Sequence, residues 1–182
     1  MFSKTMDTVF LCEQCGTMHV RDNGKTETIN YEFGEFVSKP GGDRIYLPFW
    51  AVDVSFNITN IEIKGGTLGN LFGGGQQQNG RIMMFMPAYE IEPTRFKDVA
   101  MNQTHNPPKY KANTRPEPGV LRERCVLTSD LLPQMVDFIF VTSVAEKPGV
   151  LQRLDYTLSI AGKWIVYLPH YKKGDGKYEP GY

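Results

Sequence analysis

Residues 44–63, RIYLPFWAVDVSFNITNIEI, constrain the fold more than any other stretch of this chain. Val52, Val54, Phe56 and Ile58 alternate with Asp53, Ser55, Asn57 and Thr59. A period of two puts one set of side chains on a buried face and the other in water, so a strand is expected. After Thr59 the next apolar residues, Ile61 and Ile63, fall one position out of phase. One extra residue in a strand is a β-bulge, and the slip predicts one at Thr59–Asn60. The start of the stretch, Tyr46-Leu47-Pro48-Phe49-Trp50, has the form aromatic, Leu or Met, Pro, any residue, aromatic, and that form returns at Phe85–Tyr89 and Tyr167–Tyr171. Proline has no N–H to give to a ladder, so each copy belongs at a strand end, an edge or a bulge. The plain expectation is three strand corners with packed rings. The functional alternative is an aromatic-lined pocket presenting Trp50, Tyr89 and Tyr171. Only His170 brings a polar group beside them, which favours the packed corner.

The remaining segments fit around such strands. Ile82–Tyr89 is apolar without alternation, as in a strand covered on both faces. Glu92-Pro93 opens a short helix with Phe96, Val99 and Ala100 on one side, ending near Met101–Asn102. Leu132, Met135, Val136, Ile139 and Phe140 suit one face of a helix over 129–145, while Phe138–Thr142 suits a buried strand equally. Leu154, Tyr156, Leu158 and Ile160 alternate before Ala161-Gly162-Lys163, where a turn is expected to lead back into Trp164–Tyr171 as a hairpin. Residues 64–80 hold seven glycines among seventeen, and 102–119 hold four prolines; both read as flexible loops. Residues 1–40 read as a small cysteine-bearing lobe with a hairpin around Asp22-Asn23-Gly24, 41–171 as the body, and 172–182 as a polar tail. The sum is a β-dominated α+β protein: an antiparallel barrel or sandwich with one or two helices and an N-terminal cysteine knuckle.

Twenty basic and twenty acidic residues cancel, so no global field recruits nucleic acid or an anionic membrane. Arg95–Arg124 carries seven basic residues against three acidic ones, with Tyr110 interleaved. A solvated proline-rich arm explains that run more simply than single-stranded nucleic acid does. An odd count of three cysteines speaks against a secreted disulfide framework, and no apolar run is long enough to span a bilayer. A cytoplasmic protein is expected. Gly73-Gly74-Gly75 leads into Gln76-Gln77-Gln78 and not into Gly-Lys-Ser/Thr, so the glycine-rich loop is no phosphate cradle. Its Leu68, Leu71 and Phe72 are unusual in a solvated linker and are candidate partner-binding residues.

Cys12-x2-Cys15-Gly16 carries the sharpest chemistry. Two thiolates three residues apart make half of a tetrahedral zinc or iron site, and the glycine lets backbone amides turn toward sulfur. His19 is the nearest candidate for a third ligand. A metal-free turn and a site shared by two chains are the alternatives. Phe10–Gly16, Ile45–Trp50, Met84–Ile91 running into Glu92-Pro93, and Ile165–Tyr171 together resemble a group of bacterial zinc-ribbon-type proteins with no assigned activity. Fuller ribbons in that group have two cysteine pairs, and this chain has one. Zinc at this single pair is one expectation and a metal-free turn the other, and the resemblance carries no activity over to this chain. No catalytic set of histidines, carboxylates or nucleophiles emerges from the spacing. The expectation is therefore a non-catalytic interaction or assembly subunit binding other protein subunits or its own copies, with a small-molecule or metal-dependent enzyme as the alternative and a weak nucleic-acid module third.

Overall fold

A computed structural model describes residues 7–12, 14–22, 24–37, 42–65, 78–174 and 177–182. Ten strands form among them: β1 (Val9–Leu11), β2 (Met18–Asp22), β3 (Lys25–Ile29), β4 (Tyr31–Gly34), β5 (Asp43–Lys64), β6 (Asn79–Pro87), β7 (Ala112–Asn113), β8 (Leu121–Arg122), β9 (Val150–Lys172) and β10 (Tyr178–Pro180). The two helices are α1 (Pro93–His105) and α2 (Leu132–Ala145). A β-dominated α+β protein is therefore observed.

The barrel or sandwich is not. β1, β2 and β3 make a small antiparallel sheet, and the others make an open sheet in the order β6-β5-β9-β4-β7, with β8 beside β5 and β10 beside β9. This large sheet is mixed, because β4 runs parallel to β9 and β8 parallel to β5. Closure would need β6 to meet β7, and no such pairing occurs among the described residues. Two strands of more than twenty residues, β5 and β9, pair along nearly their whole length and organise everything else.

Burial on both faces of this pair explains the two halves of β5. Tyr46, Trp50, Val52, Val54, Phe56 and Ile58 share one core with Val136, Ile139 and Phe140 of α2, Ala100 and Met101 of α1, and Val9, Met18 and Val20 of the small sheet. Leu47, Phe49 and Ala51 share the other with Phe85, Val166 and Leu168, covered by Val99, Tyr110, Tyr178 and Tyr182. Both the proline-rich stretch and the C-terminal stretch thus supply cover to the second face. Ile45–Val52 is apolar throughout, and the alternation begins where that cover ends.

The three proline motifs lie side by side on β6, β5 and β9. Leu47 stands opposite Leu168, with Tyr46 facing Pro169 and Pro48 facing Tyr167, while Pro87 stands opposite Phe49. Pro48 O accepts from Ala88 N at 2.9 Å, and Pro169 O accepts from Gly181 N at 2.8 Å. A residue's N–H and C=O point to the same side of an antiparallel strand. Each of these prolines therefore aims its missing donor away from the β5–β9 pair. On that side of β5 the neighbour changes from β8 to β6, and on that side of β9 from β4 to β10. A missing donor costs little at such a gap.

The bulge expected at Thr59 is present: Ile58 faces Tyr156 and Asn60 faces Asp155, leaving Thr59 over, with its Oγ1 donating to Asp155 O at 3.1 Å. The turn expected at Ala161-Gly162-Lys163 is not. β9 runs straight through, Gly162 faces Asp53, and Ala161 is the extra residue of a second bulge. The hairpin expected after β2 does form, with Asp22 opposite Lys25 and Gly24 at φ +76°. Its second strand stops at Ile29, and Tyr31–Gly34, expected within the lobe, joins the large sheet as β4. Helix α1 runs on to His105, past its expected end, with Thr104 buried and Pro107-Pro108 beyond its end. The ambiguous stretch at 129–145 is helical from Leu132, with Pro133 in its first turn and Leu132, Val136, Ile139, Phe140 and Val144 buried.

Gly34 offers a sharp test of the β4–β9 contact. A Cβ there would lie 2.6 Å from Pro169 Cδ and 3.4 Å from Tyr110 Cβ. Gly34→Ala should cost about 1–3 kcal/mol of stability through overpacking. Calorimetry should show a Tm lowered by about 3–10 °C, and an unchanged Tm would mean that β4 has room to move.

Candidate functional site

Cys12, Cys15 and Gly16 lie between β1 and β2. Cys12 N donates to Thr17 O at 2.9 Å and Gly16 N donates to Cys12 O at 2.8 Å. Gly16 has φ +68°, a left-handed conformation that favours glycine. Tyr31 Oη donates to Gly16 O at 2.7 Å and ties the turn to the start of β4. Cys12 is half-buried and Cys15 is exposed, and both are free thiols. The Cys15 thiol lies 3.2 Å from Thr17 Oγ1, to which it donates. A hydroxyl in that place can rotate to donate to a thiolate. Hydrogen bonds with Thr17 first, and with the neighbouring Cys12, hold the Cys15 pKa below the usual thiol value.

His19 does not join the thiols. It stands opposite Phe10, and its ring stacks on that ring at 5.0 Å between centroids with planes 18° apart. Among the described residues no group of three His, Cys, Asp or Glu side chains is placed to hold a metal ion. Cys12 and Cys15 are two soft side chains, where structural zinc takes four ligands. Beside it a cleft of about 700 Å³ runs along the seam between the small sheet and the body, lined by Thr17, Thr28, Tyr31, Ser129 and Lys163 among others.

Cys125 belongs to a different environment. Asp7 Oδ1 accepts from Cys125 N at 3.1 Å, and Thr8 N and Oγ1 both donate to Cys125 O. Burial pushes its thiol up to about 12, so it stays protonated and inert. Arg122, over the Tyr167 ring at 5.2 Å, donates from Nη1 to Tyr167 Oη at 2.8 Å.

The aromatic corner is divided by the sheet. Trp50 is fully buried and donates its indole N–H to Leu127 O at 2.8 Å. Tyr171 packs edge-on against Phe36 and donates to Val37 O at 2.9 Å. Phe36 in turn meets Tyr46 on the Trp50 face. Tyr89 lies on the opposite face, against Phe49 and Tyr178. The cause is the one-residue offset that sets Pro87, and not Met86, opposite Phe49. The three rings therefore share no pocket. Leu68, Leu71 and Phe72 lie outside the described residues.

A groove that the spacing did not single out lies between α1, α2 and the end of β6. It encloses about 500 Å³ and is lined by Tyr89, Ile91, Phe96, Leu127, Met135 and Phe138, with Glu90 on its wall. Phe138 is 45% exposed there. Its signal was present in the sequence as an apolar residue off the buried stripe of α2.

Comparison with protein-family models, with curated proteins and with solved structures gave no match to this chain. Among the described residues no helix is long and apolar enough to cross a membrane.

Proposed function

We propose that this chain is a non-catalytic interaction subunit that docks a partner protein in the groove between α1 and α2. The observation that carries this reading is Phe138, 45% exposed at an apolar groove that also holds Glu90, since a concave apolar site with a few polar groups is where binding is expected. The partner's chemistry follows from the lining. An aromatic or branched aliphatic side chain fills the groove, and a Lys or Arg beside it meets Glu90. Three free thiols suit a cytoplasmic setting for such a subunit. The basic run offers a poor nucleic-acid surface, because Lys97 pairs with Glu146, Lys111 with Glu35, and Arg122 with Asp7.

Panning a displayed peptide library on the whole protein tests this, with the Phe138→Asp variant as counter-target. The wild type should enrich peptides carrying an apolar anchor within a few residues of Lys or Arg. F138D should bind them at least about tenfold more weakly at an unchanged circular dichroism spectrum. Enrichment of the same peptides by F138D, or none by the wild type, would overturn the reading.

A further inference from the structure

Cys12 and Cys15 sit on a preformed turn, held by the Cys12–Thr17 and Gly16–Cys12 backbone bonds and by Tyr31. Structural zinc takes four ligands in a tetrahedron, and this turn supplies two from one side. His19 is engaged with Phe10, and no third metal-binding side chain stands nearby among the described residues. The missing half must come from outside this turn. Cys15 is exposed at the tip of the hairpin, and Phe10, 50% exposed and opposite His19, gives the same hairpin an apolar shoulder. A second copy meeting tip to tip brings two more thiols and covers that shoulder. A small-molecule donor or water would leave Phe10 in solvent.

We infer that two copies of this chain share one zinc ion, each contributing the Cys12 and Cys15 thiolates to a four-sulfur tetrahedron. Zinc is the substance that joins the copies, and each thiol that was protonated gives up its proton as the Zn–S bond forms. The inference is independent of the groove, so F138D protein should dimerise normally, and the two readings fail separately.

The whole protein, kept reduced, is titrated with zinc chloride and followed by sedimentation velocity with metal analysis. The expected result is one zinc per two chains and a doubling of the 20.6 kDa mass, both reversed by a chelator. Cys12→Ser and Cys15→Ser should each abolish zinc-dependent dimerisation while the circular dichroism spectrum holds, because neither thiol is fully buried. His19→Ala should leave the stoichiometry intact. Cobalt(II) in place of zinc should give the charge-transfer intensity of four thiolates. One zinc per monomeric chain, binding lost in His19→Ala, a dimer insensitive to chelator, or no zinc retained at micromolar concentration would each overturn the inference.

Discussion

Trp50→Ala should lower the unfolding free energy by about 3–5 kcal/mol, the usual cost of deleting a fully buried large aromatic side chain. The ring is wholly buried in the larger core, and its N–H satisfies Leu127 O at 2.8 Å. Truncation therefore opens a cavity and leaves Leu127 O with only the weak thiol donor of Cys125, at 3.7 Å. Against a total stability of about 5–15 kcal/mol, that loss leaves little margin at 37 °C. Trp50→Phe keeps most of the volume and should cost clearly less. Urea unfolding followed by circular dichroism measures both. A cost below about 1 kcal/mol for the alanine variant would mean that the face of β5 carrying Tyr46 and Trp50 is not the main core.

The second large effect is acid lability centred on His170. Its ring is buried against Phe49 and Tyr182, and Nδ1 donates to Leu168 O at 3.0 Å. Burial pushes its pKa down to about 4, against 6.5 for an ordinary histidine. Above pH 6.5 the ring is neutral in both the folded and the unfolded chain, and it contributes nothing to pH dependence. Between 6.5 and 4 the unfolded chain takes up a proton that the folded chain refuses. Stability must fall across that window, by roughly 3 kcal/mol in total, and then level off below it. Tyr182, the titratable group facing the ring, stays neutral throughout. The difference in unfolding free energy between wild type and His170→Phe, measured at pH 7, 5.5 and 4, should shift toward the variant by that amount. A difference independent of pH would show that the ring is solvated.

Much of the sheet could be read in the residues because phase is a local property. The slip after Thr59 marked its bulge, since one extra residue moves every later side chain to the other face. The same kind of slip at Ala161 reads as a turn because Gly162 sits beside it. In the structure that glycine faces Asp53 within a continuous ladder. Proline placement was legible as a rule and not as a location. The gaps beside Pro48 and Pro169 depend on where β4, β6, β8 and β10 dock, and all of these but β10 lie far from the proline they flank. Parallel entry of β4 and β8, which makes the sheet mixed and not antiparallel, leaves no mark on any single strand. Motif copies gave no warning that one would face the other way, because a face is set by register. At the candidate site, Cys12 and Cys15 were visible from spacing alone. The stacking of His19 on Phe10 follows from the β1–β2 pairing, which that spacing does not encode.

The central position of β9 has a consequence for how the protein is born. Residues 43–64 leave the ribosome roughly a hundred residues before their principal partner, a wait on the order of 5–20 s at ordinary rates of synthesis. During that interval β6 can pair with one edge of β5, while the other edge, lined by Tyr46, Leu47, Phe49 and Trp50, has nothing to bind. β4 waits as well, since its ladder also needs β9. A nascent chain in this state offers a long, apolar, unpaired strand, the usual target of chaperones that guard newly made polypeptides.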